Sequence, residues 1–164
     1  MRHGVRLGVD VGSVRVGLAA SDPSGFLASA VRTLTRDEQG GADLRAVALE
    51  AAERGAVEVV VGLPLSLDGT ERRAAGLARG YAEALARLVA PVPVRLVDER
   101  LSTVGAQHAL RGAGVPGRKQ RRMVDQVAAV MVLQTALDGE RASGRVPGFL
   151  VDPGSVADSP SPQG

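Results

Sequence analysis

Cysteine and tryptophan are absent from this 164-residue chain, and its aromatic side chains are Phe26, Tyr81 and Phe149. Without cysteine there is no disulfide framework, no thiolate metal site and no Cys nucleophile. With so few aromatics, a base-stacking platform for single strands is argued against. Lysine occurs once, as Lys119, which makes 19 of the 20 basic residues arginine. Histidine is limited to His3, ahead of the first apolar run, and His108, and both read as surface or satisfied side chains, not ligands. No apolar segment reaches the length of a membrane span, and the opening MRHGVRLGVD has no core of signal-peptide length. The expectation is a cytoplasmic chain with no membrane partner.

What the chain does contain is 45% apolar residues, enough for one compact domain with a single core and too little for two nucleotide-clamping domains. That domain is expected over residues 1–152, followed by a Pro-, Ser- and Gly-rich tail at 153–164 that reads as disordered. The formal charge is +2 and the pI about 9.9. Arginine binds phosphate through a planar two-pronged fork, so its dominance suits an anionic partner. An Ala, Gly, Val and Arg bias of the genome gives the same usage, so charge alone leaves nucleic acid open.

Leu7–Val11 and Val14–Ala20 are β-branched apolar runs around Gly12-Ser13, which reads as the two-residue turn of a hairpin. Phe26–Leu34 reads as a third strand. Residues 42–54 have helical spacing, with Gly55 as the stop. VEVVVG (57–62) is the continuous apolar run of a central parallel strand. A loop, LPLSLDGT, leads into a helix from about Glu71 to Val89, with Thr70 or Asp68 as its expected N-cap. VPVRLVDER (92–100) is another buried strand. A short helix over Ser102–Arg111, a basic loop GAGVPGRKQRR and a long helix over 123–140 follow. A hairpin start followed by βαβ crossovers predicts an α/β fold, a mixed sheet flanked by helices.

Three carboxylates stand out in that frame. Asp10 lies near the end of the first strand, and a buried charge there needs a partner: backbone N–H groups, a nucleotide phosphate held through a metal, or a metal shared with other acids. Asp98 and Glu99 end a crossover strand at the edge where such sheets bind ligands, and alternation sends the two to opposite faces, so one of them faces as Asp10 does. Asp125 is the acid on an otherwise apolar helix face with Ala128, Ala129, Val132, Leu133 and Ala136. Its expected place near the helix start admits a structural reading, stabilisation by the helix dipole. Three acids without cysteine suit a hard cation, Mg²⁺ or Mn²⁺. One or two such ions serve phosphodiester hydrolysis. Arg15, Arg100 and the cluster Arg118, Lys119, Arg121 and Arg122 are candidate phosphate contacts, the cluster reading equally as a solvated loop. Gly62 and the loop to Thr70 are expected to shape the rim of the site, with Pro64 an ordinary turn residue.

In order and spacing, GVDVGSVRVGLAASD, VVVGLPLSLDGT, VRLVDERLST and DQVAAVMVLQ resemble the YqgF/RuvX family of ribonuclease H-like proteins, across about residues 5–150. That family is described as Holliday junction resolvases by fold analogy with RuvC, and as nucleases that process the 5′ end of pre-16S ribosomal RNA. The resemblance implies a ribonuclease H-like fold, divalent-metal dependence, a bacterial cytoplasmic setting, and Asp10, Glu99 and Asp125 as catalytic, metal-binding acids. The resolvase RuvC has a further acid in its last helix, where this chain has Ala128 and Ala129. The implied activity is a metal-dependent endonuclease on structured nucleic acid, ribosomal RNA precursor ahead of branched DNA, working as a monomer or homodimer. Two other classes remain: an ATP-binding protein of the actin and sugar kinase type, which the length opposes, and a non-catalytic RNA-binding assembly factor, which would tolerate loss of any one acid.

Overall fold

The structure is a computed structural model that describes residues 2–101 and 118–153, without the side chains of residues 101 and 118–123. Six strands form one sheet in the order β3-β2-β1-β4-β5-β6. They are β1 (Arg6–Val11), β2 (Arg15–Ser21), β3 (Ala28–Thr35), β4 (Glu58–Leu63), β5 (Val94–Asp98) and β6 (Phe149–Leu150). β1, β4 and β5 run parallel, while β2, β3 and β6 are antiparallel to their neighbours. The expected mixed sheet is therefore present. β6, two residues long, carries too little pattern to be read from sequence, and Val151 N–H donating to the Val94 carbonyl at 2.8 Å continues the pairing beyond it.

Alternation along the strands divides the core in two. Leu7, Val9, Val11, Val59, Val61 and Leu63 pack beneath α1 (Ala42–Glu53) and α2 (Arg73–Val89). Val60 and Val97 face the other way, against Ala129, Val132, Leu133 and Ala136 of α3 (Arg118–Ser143). Gly55, at φ 61°, ends α1 in the left-handed conformation that glycine adopts without strain.

Several local expectations are revised. The hairpin turn is Ser13-Val14, one residue later than expected, because Gly12 N–H donates to the Arg15 carbonyl at 2.9 Å and closes the ladder there. α2 begins at Arg73 without a side-chain cap. Asp68 instead accepts from the Thr70 N–H and hydroxyl at 3.0 and 2.7 Å, and Glu71 pairs with Leu65 and takes the Arg79 guanidinium. β3 starts at Ala28 because Asp22 accepts from the N–H groups of Phe26 and Leu27 and holds them in a turn. α3 begins at Arg118, so RKQRR is helical and Asp125 lies about two turns inside the helix, beyond useful reach of its dipole. The helix expected over Ser102–Arg111, with His108, and the tail from residue 154 lie outside the described residues.

Three glycines decide how close α3 comes to the sheet. A Cβ on Gly8 would sit 2.6 Å from Leu133 Cβ; one on Gly17 would strike the Asp125 carbonyl; one on Gly62 would lie 2.9 Å from a Val132 methyl. Any side chain at these positions would lift the helix, so its backbone lies almost directly on β1, β2 and β4. Ala128 and Ala129 supply the matching small residues from the helix side.

Candidate active site

Asp10, one residue from the end of β1, shares the α3-facing side of the strand with Gly8. Its cross-strand partner is Gly17, the residue over which the Asp125 backbone lies. Glu99 follows β5 in a single 3-10 turn, Glu99–Leu101. Its side chain reaches back over Gly62, whose missing Cβ would be 3.0 Å from Glu99 Cγ. A larger residue at 62 would exclude Glu99 from this position.

The carboxyls of Glu99 and Asp10 are hydrogen-bonded to each other. Burial first, then the charge of Asp10, that hydrogen bond and the charge of Asp98 push Glu99 up to about 8. Glu99, half-buried beside Asp10, therefore keeps its proton near neutral pH.

Asp98 points elsewhere, as alternation requires. It receives Arg100 through the backbone N–H at 2.9 Å and through the guanidinium at 2.7 Å, and this contact holds it below its ordinary range. The choice between Asp98 and Glu99 as partner of Asp10 is thereby resolved in favour of Glu99. Arg100, expected as a phosphate contact, spends its donors on Asp98 and on the carbonyls of Ser66 and Leu67 at 3.4 and 3.3 Å. It braces the rim loop.

Asp125 reaches the same region, but its carboxylate is paired with Arg15, whose Nε donates to Oδ2 at 2.7 Å. Among the described residues, no group of three His, Cys, Asp or Glu converges closely enough to hold a metal ion. Two acids meet directly, and the third is kept by an arginine from the hairpin. The donor set nevertheless fits a hard cation: two oxygen ligands in contact, carrying a proton that a cation can replace, and Mg²⁺ is commonly bound by one or two carboxylates with water completing its shell. Arg118, Lys119, Arg121 and Arg122 lie in the first turns of α3, and their side chains are outside the described ones.

Arg36 was not legible as part of this region. Its guanidinium donates to the Gly12 carbonyl at 3.1 Å, lies 3.5 Å from buried Asp43 and sits 5.2 Å from the Tyr81 ring centre. It thereby ties the hairpin turn beside Asp10 and Arg15 to α1 and α2. Asp43, in the first turn of a helix, reads from sequence as an ordinary helix-start acid, and no local pattern pairs it with Arg36.

The family profile described as "RuvX: Holliday junction resolvase" matches residues 4–139 of the chain. A protein of Kineococcus radiotolerans named "Putative pre-16S rRNA nuclease" is 61% identical over 151 residues, covering 92% of this chain and 80% of the relative. A Frankia casuarinae protein of the same name is 55% identical over 160 residues, covering 98% and 77%. Among solved structures, Thermus thermophilus RuvC in complex with a Holliday junction aligns with a TM-score of 0.58 at 17% identity, over 90% of this chain and 99% of RuvC. A further Thermus thermophilus RuvC structure gives 0.51 at 18% identity, over 85% and 97%. At such identity, the likeness to RuvC speaks for the ribonuclease H-like fold alone.

Proposed function

We propose that this chain, which belongs to the RuvX family, is an endonuclease that hydrolyses phosphodiester bonds in structured nucleic acid with a divalent cation held by Asp10 and Glu99, and that the 5′ end of pre-16S ribosomal RNA is its substrate. The observation that carries the reading is the half-buried, hydrogen-bonded Asp10–Glu99 pair at the strand ends, with Glu99 pushed to about 8. A fold stabilises buried acids by pairing them with cations, and two acids pressed together mark a place where a proton or a metal ion is meant to enter. The curated relatives' names supply the substrate class.

Mg²⁺ or Mn²⁺, when bound, would lower the pKa of a water and stabilise the charge that develops on the phosphate. Asp10, fixed in the centre of the sheet, anchors that site. Glu99, from the end of β5 across β4, would release its proton to solvent and hold the cation together with Asp10. Arg15, at the hairpin, is placed to exchange Asp125 for a substrate phosphate, which frees the Asp125 carboxylate to orient the attacking water. The basic first turns of α3 contribute phosphate contacts that are independent of sequence.

The test offers a pre-16S rRNA 5′ segment and a four-way DNA junction to one preparation, with Mg²⁺, with Mn²⁺ and with EDTA. Metal-dependent cleavage of the RNA alone is expected. Cleavage of the junction alone would transfer the substrate to branched DNA, and binding without cleavage of either would favour the non-catalytic assembly factor.

A further inference from the structure

Leu67 is the most exposed large hydrophobic side chain among the described residues, at 94% of its accessible surface. A single exposed leucine is ordinary on a protein surface. Phe26, also exposed, is covered by the Arg141 guanidinium at 4.3 Å from its ring centre. Leu67 differs in the way it is held. Gly69 N–H donates to the Ser66 carbonyl at 2.8 Å, which puts Leu67 at the apex of a turn completed by Gly69 at φ 87°. Ser66 N–H donates to the Thr70 carbonyl at 3.0 Å, Arg72 Nε donates to the Ser66 hydroxyl at 2.5 Å, and Arg100 reaches the Leu67 carbonyl. A slack loop would let the leucine fold back onto the protein. This one fixes the backbone on both sides of the leucine and points it outward.

The position of the loop matters as much as its rigidity. It continues directly from β4, whose Gly62 packs against Glu99, and its brace Arg100 is the residue after Glu99. Exposed Arg72 and Arg73 follow it. The loop is thus tied at both ends to residues next to the Asp10–Glu99 pair and presents an apolar tip followed by arginines. An aliphatic side chain has no hydrogen-bonding group with which to read a base edge, but it can enter between two bases that separate easily.

We propose that Leu67 is a wedge that the rim loop drives against the bases beside the cleaved phosphate, making it a specificity-determining residue that selects unpaired or easily unstacked steps over particular sequences. This rests on the nuclease reading above. The wedge has its own readout, because base unstacking is observable without cleavage.

The experiment uses the four-way junction and the pre-16S rRNA 5′ segment, each carrying 2-aminopurine at the step to be cut, with the parent, Leu67→Ser and Leu67→Met. In EDTA, the parent and Leu67→Met should raise the fluorescence on binding. Leu67→Ser should bind within about threefold of the parent, because phosphate contacts dominate affinity, yet leave the fluorescence near that of free nucleic acid. With Mg²⁺, Leu67→Ser should cut a fully paired step about tenfold more slowly through kcat, and a pre-opened step within about twofold of the parent. Its melting temperature should match the parent's, since the side chain touches little. Fluorescence that rises equally with Leu67→Ser, or an equal slowing on paired and opened steps, would overturn the wedge. If the parent cuts neither probe, the nuclease reading fails, and the fluorescence alone decides whether Leu67 unstacks bases.

Discussion

Replacing Glu99 with glutamine, in protein stripped of divalent cations, separates a metal-binding acid from a structural one. Burial, the charge of Asp10 and the hydrogen bond between the two carboxyls raise Glu99 from 4.5 to about 8. At about 1.4 kcal/mol per pKa unit this is a ceiling of about 5 kcal/mol. Water entry and relaxation of the pair reduce the realised value to about 2–3 kcal/mol, as an effective dielectric well above that of a dry interior implies. The sign follows from proton binding. The unfolded chain releases the Glu99 proton near 4.5 and the folded one near 8, so between those values the folded state binds more protons and the parent loses stability as pH rises. Glutamine is neutral throughout and escapes this decline. Urea melts in EDTA should therefore show Glu99→Gln within error of the parent near pH 4.5 and about 2–3 kcal/mol more stable near pH 8, equivalent to roughly 4–12 °C in melting temperature for a domain of this size. Mg²⁺ should then raise the melting temperature of the parent and leave the variant unmoved, since a ligand stabilises only the state that binds it. Parallel pH profiles for the two proteins would refute the assignment of a shared proton to the Asp10–Glu99 pair.

Further outcomes follow from the same geometry. Asp10→Asn should bind the RNA segment nearly as well as the parent while its cleavage falls by orders of magnitude, because phosphate binding and water activation reside in different groups; gel shifts and single-turnover cleavage measure the two separately. Gly17→Ala should cost about 3 kcal/mol or more in urea melts, beyond the usual penalty for overpacking, because the added methyl meets the Asp125 carbonyl carbon at 2.7 Å and backbone has no rotamer with which to move aside. Neutralising Arg118, Lys119, Arg121 and Arg122 together should flatten the salt dependence of binding by about 0.7–0.9 in log–log slope for each phosphate that is no longer neutralised; an unchanged slope would return them to the role of a solvated helix end.

The sequence revealed the sheet because its strands are written in two distinct patterns. β1 and β4 are near-continuous apolar runs and the flanking helices carry 3.6-residue spacing, so element type and order were legible. Boundaries failed where side chains served local turns: Asp68 and Thr70 bond each other instead of capping α2, and Asp22 delays β3. Asp10, Glu99 and Asp125 stood out because a carboxylate in an apolar run has few uses, and of the three the structure brings Asp10 and Glu99 into contact. The restraint of Asp125 by Arg15 was not, since a pairing across 110 residues leaves no local trace. The same holds for Arg36, and for Leu67, whose exposure depends on bonds that only the folded loop makes.

The two ends of the sheet treat their acids in opposite ways. At the strand starts, Glu58 and Glu140 are buried, and three arginines serve them: Arg2 bonds Glu140 at 2.7 and 2.8 Å and Glu58 at 3.1 Å, Arg95 meets Glu58 at 3.0 Å, and Arg6 lies 3.7 Å from Glu140. The hydrogen bond from Arg2 holds Glu140 below its ordinary range. The acids of this network are matched by arginines of the same fold, and removing one member would strand the others in a medium of low dielectric. At the strand ends the arginines are spent differently. Arg15 holds Asp125 and Arg100 holds Asp98, while Glu99 is pressed onto Asp10. α3 lies directly on Gly17 and Gly62, so the sheet backbone beneath the pair is held in place and any relaxation is left to the two side chains. A proton on Glu99, or a cation from solution, relieves the repulsion between the two acids, and the proposal that this end of the sheet is the active site rests on that dependence on an outside charge.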